Sequence, residues 1–371
     1  MKIIISSNSA WNLYNFRYNL IRKLISNKVK VIALIPFDDY VFKLEEVGCE
    51  CINLKINRKS TSLLNNFYLL IDFYKFFKKL KPDFILFFTI KPNIIGSIAA
   101  NFLKIKTINT ITGLGSSIIN NIKLKKFILF LYKISIKNSH IVFFHNDKDR
   151  ILFLKKKITN LNNSKCIAGS GIDLNKFKFT YKDYKKIVDF NFTFIGRLIK
   201  DKGILEFIEA AKLLNLKYPN VKFNIIGDID KSNPSHLSED IYKKLINFKF
   251  FNLYKFSKDI KMHILKSDVI VLPSYREGLS RILLEASSIG RLIIASDVPG
   301  CNDIITDNEN GYLFKAKSFS DLYKTMIKVI SANRDDLNLK VEKAKINVLN
   351  NFDEKKVIKD YFFSLNMYYE N

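Results

Sequence analysis

Two carboxylates eight positions apart, Glu277 and Glu285, stand in the stretch Leu272-Pro-Ser-Tyr-Arg-Glu-Gly-Leu-Ser-Arg-Ile-Leu-Leu-Glu285. An ionised carboxylate only accepts hydrogen bonds, and its two oxygens suit a vicinal diol. Between them, Gly278, Leu279 and Ser280 lead into apolar residues at helical spacing (Ile282, Leu283 and Ala286), which predicts a helix beginning near 279 or 280. The first amides of a helix have no intrahelical acceptor and can hold an anion. Eight residues of helix rise about 12 Å. An anion-binding helix end flanked by two diol acceptors suits a nucleotide sugar, one carboxylate taking sugar hydroxyls and the other the ribose. A loop glutamate and a second one on a solvated helix face would spell the same letters, so the neighbouring stretches have to decide. A second group of polar residues, Gly196-Arg-Leu-Ile-Lys-Asp-Lys-Gly203, sets Arg197 and Lys202 between a strand pattern and a helix pattern.

These residues need elements to hold them. The apolar run 268–272 reads as a buried parallel strand that Pro273 ends, having no N–H for the ladder. In chain order the pattern predicts a strand at 2–6, a polar loop at 7–16, a helix at 17–27, a strand at 29–35 and a short helix at 40–47. A helix follows at 63–80, then a strand at 83–88, with Pro92 at the start of the next helix. A strand at 106–110 runs into Gly113-Leu-Gly115, where the backbone can approach a ligand closely. A helix at 120–138 precedes the strand 140–144, the expected last strand of the first half. His145 is expected to be structural, with Asn146 or Asp147 capping the next helix. Residues 166–177 form the crossing and 178–188 a linker. The second half offers strands at 190–196, 221–228, 269–272 and 291–297, and helices at 204–216 and from Ser320 and Asp335. A terminal helix spans 353–369. Strands alternating with helices mean parallel sheets with helices on both faces. The first turn lacks G-x-G-x-x-G, which counts against a dinucleotide-binding oxidoreductase.

The bulk properties exclude several classes. A chain of 371 residues suits two domains. Cys49, Cys51, Cys166 and Cys301 form no CxxC pair and read as reduced thiols, and the four scattered histidines build neither a zinc site nor a catalytic triad by spacing. No signal-peptide pattern opens the chain, and no apolar run approaches the ~18 residues of a membrane span. The net charge is +26; residues 1–180 carry 30 Lys/Arg against 10 Asp/Glu, and residues 181–371 carry 31 against 25. An AT-rich genome explains abundant lysine but not this imbalance in acidic residues. A basic first half implies an anionic partner, and without a nucleic-acid-binding motif the expected partner is an anionic membrane surface. The 120–138 helix, which interleaves Lys123, Lys125, Lys126, Lys133 and Lys137 with Phe127, Leu129, Phe130, Leu131 and Tyr132, is the expected contact.

The stretch E-x7-E with Gly278 after the first Glu, the pattern G-R-L-x-x-x-K-G at 196–203, Gly171-Ile-Asp173 and Asn310-Gly-Tyr-Leu-Phe314 together resemble family 4 glycosyltransferases of the two-Rossmann GT-B class. In the first half, Tyr14-Asn-Phe-Arg17, Lys91-Pro-Asn93 and Gly113-Leu-Gly-Ser116 resemble the group acting on diacetylbacillosaminyl-diphospho-undecaprenol as N-acetylgalactosaminyltransferases, together with O-antigen and capsule relatives. The resemblance implies an α/β fold of two Rossmann-like domains facing across a cleft: an acceptor domain at 1–180, a nucleotide-sugar domain at 181–352 and a terminal helix at 353–371 packing back on the first. It implies a retaining transfer of an N-acetylhexosamine or hexose from a UDP-sugar donor to a polyprenyl-diphosphate-linked saccharide, at the cytoplasmic face of the membrane. Arg197 and Lys202 would neutralise the donor diphosphate as its charge grows, Glu277 would bind sugar hydroxyls and Glu285 the ribose. Gly196 and the amides of Gly278, Leu279 and Ser280 would complete the donor site. Arg17, Lys91, Asn93, Gly113, Gly115 and Ser116 would lie on the acceptor side. Many members carry a His where this chain has Thr112-Gly113, so no catalytic His is assigned. Asp228-Ile-Asp230 follows a turn rather than flanking a strand as a manganese motif does, so no metal or other cofactor is expected. The alternatives are a UDP-sugar 2-epimerase of the same architecture and a nonenzymatic membrane- or glycan-binding protein.

Overall fold

The computed structural model describes residues 1–57, 62–114, 122–231, 233, 235–257 and 259–369. The chain divides into two compact units, Met1–Ser170 with Lys355–Asn371, and Gly171–Glu354.

The first unit is built on β1 (Lys2–Ser6), β2 (Lys30–Ile35), β3 (Glu50–Asn53), β4 (Phe84–Phe88), β5 (Lys106–Ile111), β6 (Ile141–Phe144) and β7 (Ser164–Cys166). All pairings are parallel, in the order β3-β2-β1-β4-β5-β6-β7. Runs such as Ile3-Ile-Ile5 are apolar throughout because helices cover both faces of the sheet. Side chains alternate between those faces: Ile3 and Ile5 enter one hydrophobic core and Ile4 the other. The terminal helix Glu354–Ser364 belongs to this unit, burying Val357, Ile358, Tyr361 and Phe362 beside Ile3, Ile5 and Leu86.

The second unit carries β8 (Asn191–Ile195), β9 (Lys222–Ile226), β10 (Phe251–Tyr254), β11 (Val269–Leu272), β12 (Leu292–Ser296) and β13 (Tyr312–Phe314). These are also parallel, in the order β10-β9-β8-β11-β12-β13. In each sheet the strand order reverses once, between β1 and β4 and between β8 and β11. Ligands of open α/β sheets bind outside the carboxyl ends of the strands at such a point.

Several expectations need correction. The first helix is Ala10–Ser26 rather than 17–27: the Ser9 hydroxyl accepts from Asn12 N at 3.1 Å and starts the helix inside the stretch read as a polar loop. The strands β3 and β7 have no counterpart in the sequence reading; they are four and three residues long, too short for a periodic signal. The unit boundary lies at 170/171 rather than 180/181, and 178–188 is no loose linker. Thr180 N donates to Ile289 O at 2.9 Å, and the buried Tyr184 hydroxyl donates to Asp268 O at 2.6 Å while accepting from Leu292 N at 2.8 Å. The segment is thereby sewn to β11 and β12.

Candidate functional site

The two stretches singled out by spacing meet at the switch point of the second sheet. Gly196 and the 197–203 turn follow β8; Pro273 and the 274–280 turn follow β11. Their fit depends on Gly203, whose φ is +72° and whose Cα sits so close to Pro273 that a Cβ would lie 2.0 Å from the Pro273 carbonyl oxygen. Tyr275 N also donates to Asp201 O at 2.9 Å. With the turns locked together, the Lys202 ammonium forms an ion pair with Glu277 Oε1. The Ser274 hydroxyl donates to the same oxygen at 2.6 Å. The pair is mostly withdrawn from water, the Lys202 and Glu277 side chains being 24% and 13% exposed, so solvent screens it weakly.

The turn after β12 supports Glu277 from beneath. Gly300 has φ +82°, and a Cβ there would lie 2.7 Å from Glu277 Cβ. Glu277 N donates to Pro299 O at 3.2 Å and Ser280 N to Gly300 O at 2.9 Å. This corrects one expectation: the Ser280 amide is engaged by a carbonyl and is not an anion donor. The helix itself is Arg281–Ile289, with Ser280 at its N-cap. Glu285 is buried rather than on a solvated face, and accepts from Arg281 Nε at 2.8 Å. Arg197 is exposed and pairs with Asp230 at 3.1 Å. The structure pairs Lys202 with Glu277, two candidates that the sequence reading named separately, while Arg197 and Glu285 each have another partner. Ser274 and the contact of Tyr275 with Glu206 were missed. The Tyr275 hydroxyl donates to Glu206 Oε1 at 2.6 Å, and burial together with that carboxylate pushes the phenol's pKa up. No local pattern could announce a partner 69 positions away.

The acceptor-side candidates separate into two groups. Arg17 is 4% exposed. Its guanidinium lies 4.4 Å from the Phe88 ring centre, and Nη2 is 3.2 Å from His145 Nε2. A guanidinium only donates, so His145 Nε2 accepts and the ring proton sits on Nδ1. Burial and then the Arg17 charge push the His145 pKa well below its ordinary value. Asn93, 1% exposed, donates through Nδ2 to Thr89 O at 2.8 Å and Thr110 O at 2.9 Å, and accepts from Asn109 Nδ2 at 2.9 Å. Arg17 and Asn93, expected on the acceptor side, are therefore core residues whose polar groups tie elements together. Buried polar groups must be paired, and these are paired within the fold.

Lys91 and Gly113 do line a pocket of about 270 Å³, together with Asn8, Ile56, Thr89 and Thr112. Asn8 follows β1 and residues 89–91 follow β4, so this pocket sits at the switch point of the first sheet. The Lys91 ammonium donates to Asn57 O, and burial lowers its pKa. Gly115 and Ser116 lie outside the described residues.

Comparison with known proteins bears on both units. A family model described as "Glycosyl transferases group 1" matches residues 177–347, and one described as "Glycosyl transferase 4-like" matches residues 2–146. The chain is 32% identical, over 91% of its length and 92% of the relative's, to the N,N'-diacetylbacillosaminyl-diphospho-undecaprenol alpha-1,3-N-acetylgalactosaminyltransferase of Campylobacter jejuni. It is 28% identical, over 83% of its length and 82% of the relative's, to the UDP-Gal:alpha-D-GlcNAc-diphosphoundecaprenol alpha-1,3-galactosyltransferase of Escherichia coli. Among solved structures, Anabaena HepE in complex with UDP and glucose superposes with a TM-score of 0.79 at 17% identity, covering 99% of both chains.

Two measurements test this geometry. Gly203→Ala adds a methyl against the Pro273 carbonyl at a left-handed position; it is expected to lower unfolding free energy in urea by about 2 kcal/mol or more, and an unchanged midpoint would show that the two turns are not locked. His145 stays neutral when folded but protonates in the unfolded chain near its ordinary 6.5. The unfolded state then binds the extra proton, so stability falls as pH drops below about 6.5, by up to ~1.4 kcal/mol per unit from this group, until the depressed folded pKa is reached. His145→Gln should flatten that slope between pH 6.5 and 5; an equal slope in the variant would place the proton uptake elsewhere.

Proposed function

Since the chain belongs to the group 1, family 4 glycosyltransferases of the GT-B class, we propose that it moves an N-acetylhexosamine or hexose from a UDP-sugar to a polyprenyl-diphosphate-linked saccharide, with retention, in bacterial surface glycan synthesis. Membership sets aside both the 2-epimerase and the nonenzymatic binding protein. The observation that carries the donor half is the Lys202–Glu277 pair at the second switch point. A departing nucleoside diphosphate gains negative charge, and a fixed ammonium stabilises it. In the proposed complex Lys202 turns part of its charge from Glu277 to the diphosphate, and Arg197 leaves Asp230 to join it. The Glu277 carboxylate, still held by Ser274, accepts from donor-sugar hydroxyls. Glu285, oriented by Arg281, accepts from the ribose diol. Attack then comes from the face that the leaving phosphate occupies, the phosphate taking the acceptor's proton, so the anomeric configuration is kept. The reaction is proposed to need no metal. The acceptor half is supported by the relatives' names, which specify undecaprenyl-diphosphate-linked sugars, and by the pocket at the first switch point.

Such an acceptor resides in a membrane, and we read the first unit as docking there peripherally, on the cytoplasmic side. Among the described residues no helix is long and apolar enough to cross a bilayer. In the helix Ile122–Ser135, Leu129 and Tyr132 face the core, a correction to the surface expected there, while Ile122, Phe127, Phe130 and Ile134 are exposed beside Lys123, Lys126 and Lys133. The helix Leu63–Leu80 shares that core and exposes Leu63, Leu64, Phe67 and Tyr68. Exposed apolar and basic side chains on two helices that pack into one core suit an anionic interface.

Titration against UDP- and GDP-sugars tests the donor half. One UDP-sugar should bind, with affinity reduced at least about tenfold in Lys202→Ala; failure of every nucleotide to bind would refute it. Flotation with phosphatidylglycerol liposomes tests the membrane half: binding at low salt, weakened in a Phe127→Ser, Phe130→Ser double variant, is expected, and protein left wholly at the bottom of the gradient would refute it.

A further inference from the structure

The pocket at the first switch point contains a polar group that the fold leaves unused. Thr89 stands one residue past β4 with φ +69°, a region that β-branched residues rarely adopt. Asn93 clamps it there: its backbone N–H and its side-chain amide both donate to Thr89 O, at 3.1 and 2.8 Å. Thr89 Oγ1 is shut off from solvent and has no hydrogen-bond partner. A left-handed threonine and an unpaired buried hydroxyl each oppose folding. Both occur on one residue in the wall of a pocket at a switch point, which points to a partner supplied from outside the chain.

The pocket's size and lining limit that partner. About 270 Å³ lies at the lower end of small-molecule sites, with room for one sugar ring. A diphosphate calls for several cations, but among the described residues the lining offers one, Lys91, already donating to the Asn57 carbonyl. The rest of the polar lining, Asn8, Thr89 and Thr112, is neutral and matches hydroxyl and acetamido groups. We propose that this pocket holds the terminal sugar of the acceptor and that the Thr89 hydroxyl, turned into the pocket by rotation about χ1 when the sugar binds, is the specificity-determining group that bonds one of its substituents. The inference rests on the acceptor assignment made above.

Transfer kinetics test it, using the UDP-sugar found by titration and synthetic polyprenyl diphosphates bearing either N-acetylglucosamine or N,N'-diacetylbacillosamine. Thr89→Val, which keeps the shape and loses the hydroxyl, should raise the acceptor KM at least about tenfold and leave the donor KM unchanged. Thr89→Ser should stay within about threefold of the unaltered protein. Thr89→Gly, which relieves the left-handed backbone, should keep or raise the melting temperature and still show the acceptor KM rise, a combination that a purely structural role would not give. An acceptor KM in Thr89→Val and Thr89→Gly within about twofold of the unaltered protein, or a parallel rise in donor KM, would overturn the proposal. If the unaltered protein binds the UDP-sugar but transfers to neither acceptor, the acceptor assignment falls and this subsite with it, while the donor site stands.

Discussion

The ion pair between Lys202 and Glu277 depends on how closely two backbones can approach. Its partners come from turns 75 positions apart, and they meet because Gly203 has no side chain to hold off the Pro273 carbonyl. Gly300 performs the same service beneath Glu277. The charged groups are thus placed by residues that carry no charge. Holding Lys202 against a carboxylate also keeps a partly buried ammonium compensated, since an isolated buried charge is strongly unfavourable.

The first unit solves a related problem by different means. Arg17 and His145 sit in its interior, stacked and bonded among Phe88, Tyr361 and each other. Asn93 and Asn109 link the turn after β4 to β5. Tyr361 reaches Thr110 through a hydroxyl contact of 2.6 Å, so the terminal helix is joined to the same polar layer at the carboxyl end of the strands. A connected set of paired buried groups is rigid and intolerant of partial loss. That rigidity fixes the surroundings of the small pocket lined by Thr89, Lys91 and Gly113.

Both units place their chemistry by one topological rule. Where the strand order reverses, adjacent strands send their following turns to opposite sides, and a crevice opens at their carboxyl ends. The first sheet gathers Asn8 with Thr89 and Lys91 there; the second gathers Lys202 with Glu277.

The alternation of apolar strands and amphipathic helices, hence two parallel-sheet domains, was legible in the residue order, because burial on both faces demands continuous apolar runs such as Val269-Ile-Val-Leu272. The residue types of the turns after β8 and β11 were legible as well, since G-R-L-x-x-x-K-G and E-x7-E are local patterns. Tertiary structure alone decided which candidates meet. Spacing could not tell that Arg17 would be buried against His145, that the Ser280 amide would be taken by Gly300, or that 178–188 would be anchored through Tyr184. Each depends on a partner distant in the chain. Nor could spacing single out Thr89, an ordinary threonine after an ordinary strand, whose distinction is a left-handed backbone and an unpaired hydroxyl imposed by neighbours that the folded chain brings to it.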